Sequence, residues 1–277
     1  DRIDYSKFGY LQSTVKATDY QLVKTDLQEQ YSVLPQARIN YSSYEKNNDF
    51  KYKFSGELSV FDHTYASKAT GTRVTLYPSV EYPMKNIGWE VIPKIGVKHR
   101  TYSLSGSSDN SITDTTPIFS LRGKMVFDKM QGKNILQTLE PEIYLLYVPA
   151  SNQDNIPIFD AGENDLKYNL FSENKFYGED RLNHAKQMTL ALTSSITDVS
   201  SGNELLRGTI AQIIYLDDRS VNLDNSETSD LDSSNILGLV GARLSEHWRL
   251  SGYSEFNPHK GYGEKNQLRI SYKRPYG

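Results

Sequence analysis

RVTLYPSVEY, Arg73 to Tyr82, alternates without a break. Val74, Leu76, Pro78, Val80 and Tyr82 fall on one side, and Arg73, Thr75, Tyr77, Ser79 and Glu81 on the other. A repeat of two is the signature of a β-strand, whose successive side chains point to opposite faces. The pattern continues in both directions. Upstream, Phe54, Gly56, Leu58 and Val60 alternate with Lys53, Ser55, Glu57 and Ser59. Downstream, Trp89, Val91, Pro93, Ile95 and Val97 alternate with Glu90, Ile92, Lys94, Gly96 and Lys98. Phe119, Leu121, Gly123, Met125 and Phe127 do so with Ser120, Arg122, Lys124 and Val126. Met188, Leu190 and Leu192, then Trp248, Leu250 and Gly252, repeat it, and helical periodicity is nearly absent.

One face of these strands is apolar and the other carries Arg, Lys, Glu, Ser and Thr. A soluble sandwich also alternates, so length matters. The runs extend for about 9 to 14 residues, against about 5 to 6 for a usual strand and about 9 to 11 for a strand crossing a bilayer. The expectation is an all-β, antiparallel, transmembrane outer-membrane β-barrel with about twelve strands in this chain. The mean hydropathy of −0.59 does not oppose this, because only every second residue of a barrel strand meets lipid. No run of 18 apolar residues is present, which excludes a membrane-spanning helix. A net charge of −3 gives no nucleic-acid footprint. The 277 residues include 20 tyrosines and no cysteine, so disulfides and thiolate metal sites are excluded. Asp1 begins no charged–apolar–small signal pattern, as expected of a mature chain or an excised piece.

The connections add a topology. Short turns are expected near Glu45 to Asp49, Pro83 to Ile87, Lys129 to Lys133, Val199 to Asn203 and Ser245 to His247. Longer polar segments are expected near Thr64 to Thr70, Ser103 to Thr115, Ala150 to Ala185, Asp217 to Ser233 and Asn257 to Glu264. Strict alternation of short and long is the rhythm of an outer-membrane barrel, with short periplasmic turns and longer extracellular loops. The first strand should start near Phe8 and the last end near Lys273, leaving Asp1 and Gly277 on the periplasmic side. Tyr44, Phe61, Tyr82, Trp89, Tyr102, Phe127, Tyr147, Tyr215, Trp248 and Phe256 near strand ends suit an interfacial aromatic girdle, although aromatics are common in strands generally.

Three features resist the pattern. Pro78, Pro93 and Pro141 lie inside strand runs and cannot donate to a ladder, so they should sit at bulges, bends or ladder breaks. Leu205 to Leu216 alternates poorly, with Gln212 on the apolar side. Phe8 to Leu22 is ambiguous in phase.

Two stretches go beyond architecture: QTLEPEIYLLYVP, Gln137 to Pro149, and YNLFSENKFYGEDRLNHAKQ, Tyr168 to Gln187. With LPQARINY, Leu34 to Tyr41, and GKMVFDK, Gly123 to Lys129, they resemble the LptD family of lipopolysaccharide-assembly outer-membrane proteins. The strongest element is Asn174, Phe176, Tyr177, Gly178, Asp180, Arg181 and Gln187 after a YVP strand end. The resemblance covers nearly the whole chain, as a segment (residues 1–277) of a single transmembrane barrel domain. It implies an N-terminal periplasmic jellyroll and gate strands outside this stretch, and a larger barrel. It also implies lipopolysaccharide transport into the outer leaflet of a Gram-negative outer membrane without bond-making chemistry or a cofactor. The implied partners are an LptE-like plug lipoprotein, lipopolysaccharide, membrane lipids and, through the N-terminal domain, the periplasmic bridge proteins.

Candidate site residues follow. Asn174, Tyr177, Gly178, Asp180 and Arg181 are expected to organise the long loop, the Asp180–Arg181 pair through charge-assisted hydrogen bonds. Ser151, Asn152, Gln153, Asp154 and Asn155 read as solvated loop residues, to which the resemblance adds contact with the plug lipoprotein. Arg38, Lys53, Glu57, Arg73, Glu81, Lys94, Arg122, Lys124, Glu140 and Arg243 belong to the lumen-side set. They form either a wetted interior of mixed charge or a polar surface for phosphorylated sugars, since arginine suits phosphate. The five histidines, His63, His99, His184, His247 and His259, show no HExxH or other close ligand pair, so a metal site is not expected. Two rivals remain. A small barrel enzyme acting on lipids would need a Ser–His pair such as His99 with Ser103 or Ser105; a simple porin would need only an open pore.

Overall fold

A computed structural model describes residues 2–5, 9–20, 30–65, 67–105, 111–223 and 230–274. Its strands are, in chain order, β1 (Arg2–Tyr5), β2 (Gly9–Thr18), β3 (Ser32–Ser42), β4 (Lys51–Asp62), β5 (Thr70–Glu81) and β6 (Met84–Asn86). They continue with β7 (Trp89–Ser105), β8 (Ser111–Met125), β9 (Phe127–Gln131), β10 (Ile135–Val148), β11 (Gly162–Glu163) and β12 (Phe176–Tyr177). The last five are β13 (Ala185–Asp198), β14 (Asn203–Tyr215), β15 (Ile236–Arg243), β16 (Trp248–Asn257) and β17 (Tyr262–Tyr272). One helical turn, α1 (Leu166–Asn169), precedes β12.

Every strand except β11 and β12 joins one antiparallel sheet whose long strands pair in sequence order from β1 at one end to β17 at the other, the short β6 and β9 pairing β7 and β10 beside that path. Such an up-and-down order needs only local hairpins. Twelve of the described strands have eight residues or more, the longest seventeen, so the expected strand number holds. Among the described residues the sheet does not close: β1 and β17 each pair on one side only.

Register turns the alternation into two faces, because opposed residues of an antiparallel ladder share a face. Pro93, Leu121, Leu145, Met188 and Ile214 are successive partners across β7, β8, β10, β13 and β14 and form an apolar outer row. Arg38, Glu57, Thr75, Arg100 and Asp114 are successive partners across β3, β4, β5, β7 and β8 and form a polar inner row. The first strand takes its phase from its neighbour: Thr14 faces Arg38 and Val15 faces Ala37, which puts Thr14 inside and Val15 outside. Gln212 does sit outside, opposite Leu190, and its amide is satisfied by donating to the Ser234 carbonyl at 3.0 Å.

The prolines fall where ladders are interrupted. The β5–β7 pairing skips from Leu76↔His99 to Ser79↔Gly96, and Pro78 lies in that gap. Pro93 lies between the last β5 pair, Glu81↔Lys94, and the first β6 pair, Met84↔Val91. Pro141 lies where β10 passes from β9, ending at Leu139↔Phe127, to β8, starting at Glu142↔Lys124.

Connection lengths depart from strict alternation. The segment expected as long at Asn257 to Glu264 is a tight turn, 258–261. Asn257 closes it by accepting from the His259 and Lys260 N–H groups at 2.9 and 3.0 Å, and Gly261 supplies a φ of 74°. Connection 63–69 is no longer than 43–50 at the opposite end. Strand pairing also runs to Ser105 and resumes at Ser111, so the polar stretch from Ser103 to Thr115 is mostly strand. The two long connections, 149–184 and 216–235, do share one end of the sheet. Asp1, Phe8, Leu22 and Gly277, where chain ends and the first strand are expected, lie outside the described residues.

The long connection 149–184 makes the core by packing on the inner face. Ile156 and Phe159 cover Phe61, Tyr102 and Leu104. Leu182 covers Ile118, Tyr144, Leu146 and Val148, and Leu170 covers Ala211, Ile213 and Leu237. This corrects the girdle at three positions; Tyr215, opposite the buried Gln187, packs on the Leu170 cluster. Phe61 and Tyr102 are buried inward, because Phe159 stacks on Phe61 at 4.3 Å between ring centroids. Trp89, Phe127, Tyr147, Trp248 and Phe256 are exposed, as girdle residues should be.

Candidate functional site

The polar inner face and connection 149–184 are joined by charge. Arg73, on β5, has a side chain with no exposure. Its guanidinium donates to Asp180 Oδ1 at 2.5 Å, to both Asp160 oxygens at 2.7 Å, and to Glu57 Oε1 at 2.7 Å. Arg38 closes the cluster on the other Glu57 oxygen. A planar fork of donors is what satisfies three carboxylates at once. Two strand residues apart, Arg100 is equally buried. It donates to Asp114 Oδ2 at 2.6 Å, to the Asp180 carbonyl at 2.9 Å and to Gln153 Oε1 at 3.2 Å.

Asp180 is the hinge of this arrangement. One carboxylate oxygen takes Arg73 and the Tyr102 hydroxyl, and the other takes the backbone N–H of Phe159 and Asp160 at 2.7 and 2.8 Å. Burial pushes its carboxyl up, against the pull of Arg73. Burial also works against the charge of Asp160, but the hydrogen bonds and charge of Arg73 outweigh it and hold that carboxyl below the usual range. Gly178 makes the geometry possible. Its φ is 74°, and a Cβ there would lie 2.5 Å from the Asp160 carbonyl oxygen. The Asp180–Arg181 pair expected from the sequence is not a side-chain pair: Arg181 instead donates to the Ile156 carbonyl at 2.8 Å. Asn174 ties the two ends of the motif, donating to the Arg181 carbonyl and accepting from Asn183 N–H. Tyr177 is exposed and pairs with Gly162 across the β11–β12 ribbon.

Gln153 is turned inward. Its amide donates to the Leu182 carbonyl at 2.7 Å and accepts the Leu182 N–H at 3.0 Å. Asn152, Asp154 and Asn155 are exposed and Ser151 is half-buried. The other inner-face residues are also engaged. Lys53 meets Glu81 at 2.5 Å, Lys94 meets Glu173 of the loop at 2.9 Å, and Arg122 meets Glu142 at 2.6 Å. Lys124 meets Glu140 at 2.7 Å, and Arg243 donates to Asn203. Further along, Lys265 of β17 meets Asp165 at 2.7 Å, so the connection reaches from β4 and β5 to the far end of the sheet.

Sequence reasoning missed Arg100, Asp114, Asp160 and Glu173. Arg100 carried a signal, because it continues the even-numbered series from Lys94 and Lys98. Asp160 carried none, lying in an aperiodic loop. Both ring nitrogens of His99 contact threonines, Thr115 at 2.7 Å and Thr101 at 3.1 Å, rather than Ser103 or Ser105. Among the described residues no group of three or more His, Asp or Glu could hold a metal ion.

Comparison with known proteins bears on what this arrangement serves. The family described as LptD, LPS transport system D, matches residues 1–277. An LPS-assembly protein LptD of Aromatoleum aromaticum is 33% identical over 98% of the chain and 35% of its own length. Those of Nitrosococcus oceani and Thiobacillus denitrificans are each 34% identical over 89% and 90% of the chain and 34% of their own length. The chain thus spans about a third of the length of the curated relatives it matches. Among solved structures, the β domain of the Bordetella autotransporter BrkA aligns with 87% of the chain and 88% of its own length at 13% identity. The TM-score is 0.24, too low for that likeness to carry an argument.

Proposed function

Because this chain belongs to the LptD family and is a multi-pass β-strand protein of the outer membrane, we propose that it forms part of the barrel that delivers lipopolysaccharide to the outer leaflet. One observation carries the reading: the family matches every residue from 1 to 277. The geometry supports it. An apolar outer face meets lipid while a charged inner face stays apart from it, the division that strands spanning a bilayer require. The chain is read as one segment of a single barrel domain. Two ladder edges left open in hydrocarbon would each expose unpaired backbone groups, which lipid does not tolerate. Lipopolysaccharide, an LptE-like plug lipoprotein meeting the exposed residues Asn152, Asp154 and Asn155, and the periplasmic bridge proteins are the partners this reading names.

The reading involves no bond-making step. Ser220 with His184 and Ser233 with His259 are serine–histidine contacts at 3.3 and 3.2 Å, but among the described residues neither imidazole is oriented by a carboxylate, as a nucleophilic triad needs. A plain diffusion pore is also less well supported, because Arg73 and Arg100 lie beneath the loop rather than in open water. Depleting the protein in its native cell tests the proposal. Newly made lipopolysaccharide should stop reaching the surface while its synthesis continues; unchanged surface delivery would overturn the reading.

A further inference from the structure

Apart from the charged cluster, the inner face holds a polar cavity of about 110 Å³. The loop lines it with Glu163, Asn169, Lys175 and His184, β13 with Gln187, and connection 216–235 with Arg219. Its charge balance differs from that around Arg73, Arg100 and Lys94. Arg73, Arg100 and Lys94 each meet a carboxylate at 2.9 Å or less. Among the described residues Lys175 meets Glu163, 3.6 Å away and half-exposed, and the Asn222 amide oxygen at 3.5 Å. Burial lowers the Lys175 ammonium, and the nearby positive charge of Arg219 lowers it further despite Glu163. The Arg219 guanidinium is held 4.0 Å from the Tyr215 ring centroid.

A second observation is independent of charge. Asn169 is buried, at 8% exposure. Its amide nitrogen donates to the Asn164 carbonyl at 2.9 Å, but its Oδ1 has no hydrogen-bond partner among the described residues. A buried acceptor left alone costs about 1–3 kcal/mol. The cavity therefore presents two cations and one acceptor that needs a donor. A phosphate or a phosphate monoester below its second ionisation offers both: anionic oxygens for Lys175 and Arg219, and a P–OH for Asn169. The volume is that of several water molecules, room enough for one tetrahedral oxyanion.

We propose that this cavity binds a phosphate group, free or carried on a saccharide. The site stands on its own geometry; only the saccharide as carrier rests on the transport reading. Lysine provides a point charge and arginine a fork, the two common ways of holding phosphate.

Calorimetric titration of the protein in detergent micelles tests this, with inorganic phosphate, glucose 1-phosphate and glucose as probes. Saturable binding of either phosphate probe, with none of glucose, is expected. Which of the two binds tells free phosphate from a phosphorylated sugar, and either supports the site. Lys175→Gln and Arg219→Gln should each weaken binding at least tenfold, Lys175→Arg should retain it, and Lys133→Gln, in an exposed turn at the opposite end, should leave it unchanged. Heat-modified gel mobility confirms that each variant is folded. Absence of binding by both phosphate probes, or equal binding by folded Lys175→Gln, would overturn the proposal. Neither result would alter lipopolysaccharide delivery measured by depletion, so the two proposals fail separately.

Discussion

Arg73 and Asp180 are 107 residues apart in the chain and meet at 2.5 Å with neither side chain exposed. This contact fastens connection 149–184 to β5, and around it three carboxylates share one guanidinium. A buried ion pair is weak evidence of net stabilisation, but breaking one by removing a single partner is costly.

Arg73→Met should therefore leave Asp180 buried, and Asp160 half-buried, without their cation, while Glu57 keeps Arg38, at a cost of about 3–5 kcal/mol. The loop should detach before the sheet unfolds. Limited proteolysis in micelles should show new cleavage within 149–184 while the strands stay protected. Arg73→Lys should rescue only in part, because an ammonium cannot reproduce the fork.

Gly178→Ala and Gly202→Ala separate close approach from backbone strain. Both positions have positive φ, 74° and 68°. A Cβ at Gly178 meets the Asp160 carbonyl oxygen at 2.5 Å, whereas one at Gly202 meets nothing within 4 Å. Gly202→Ala should cost about 1 kcal/mol of backbone strain, and Gly178→Ala about 1–3 kcal/mol more. Thermal unfolding of the two variants side by side measures the difference.

Glu45 gives a pH dependence at the turn end of the sheet. Its carboxylate accepts from Lys51 and Lys85, and these hydrogen bonds lower its carboxyl to about 2. A carboxyl lowered on folding contributes stability that is complete above its unfolded value of 4.5 and is lost as pH falls through about 2. Glu45→Gln should unfold at lower denaturant than the parent at pH 6, and the gap should close as pH falls from 4.5 toward 2. A gap that stays constant with pH would contradict the assignment.

Leu192→Arg and Thr193→Arg test the two faces. Leu192 is exposed on the outer face, and Thr193, the next residue, points inward to Thr209 at 2.9 Å. Arginine on the lipid face near the bilayer midplane costs about 2–4 kcal/mol, whereas inner-face changes are tolerated better. Folding yield into vesicles should fall for Leu192→Arg and change little for Thr193→Arg.

Much of the fold was legible in the chain. Alternation at Arg73 to Tyr82 identified the strand and assigned Arg73 to the polar side, where the ladder places it. The prolines at 78, 93 and 141 predicted ladder breaks and mark them. Loop lengths were harder to read, because a polar run such as Asn257 to Glu264 can be coil or the wet inner face of a hairpin. The site was legible only in part. The motif around Gly178 was visible, but Asp180 meets a strand arginine rather than its neighbour Arg181.

By itself the sequence determined which side chains share a face, because the pleat alternates locally and a one-residue slip would turn every apolar side chain inward. It did not determine what lies against that face. Phe61 and Tyr102 look like their girdle counterparts in sequence, and only the return of Phe159 onto them makes them core. Arg73 and Arg100 look like wetted lumen charges, and only the folding of 149–184 over them buries and pairs them. Alternation is a property of adjacent residues, whereas burial depends on which distant segment arrives, and that is decided by tertiary structure.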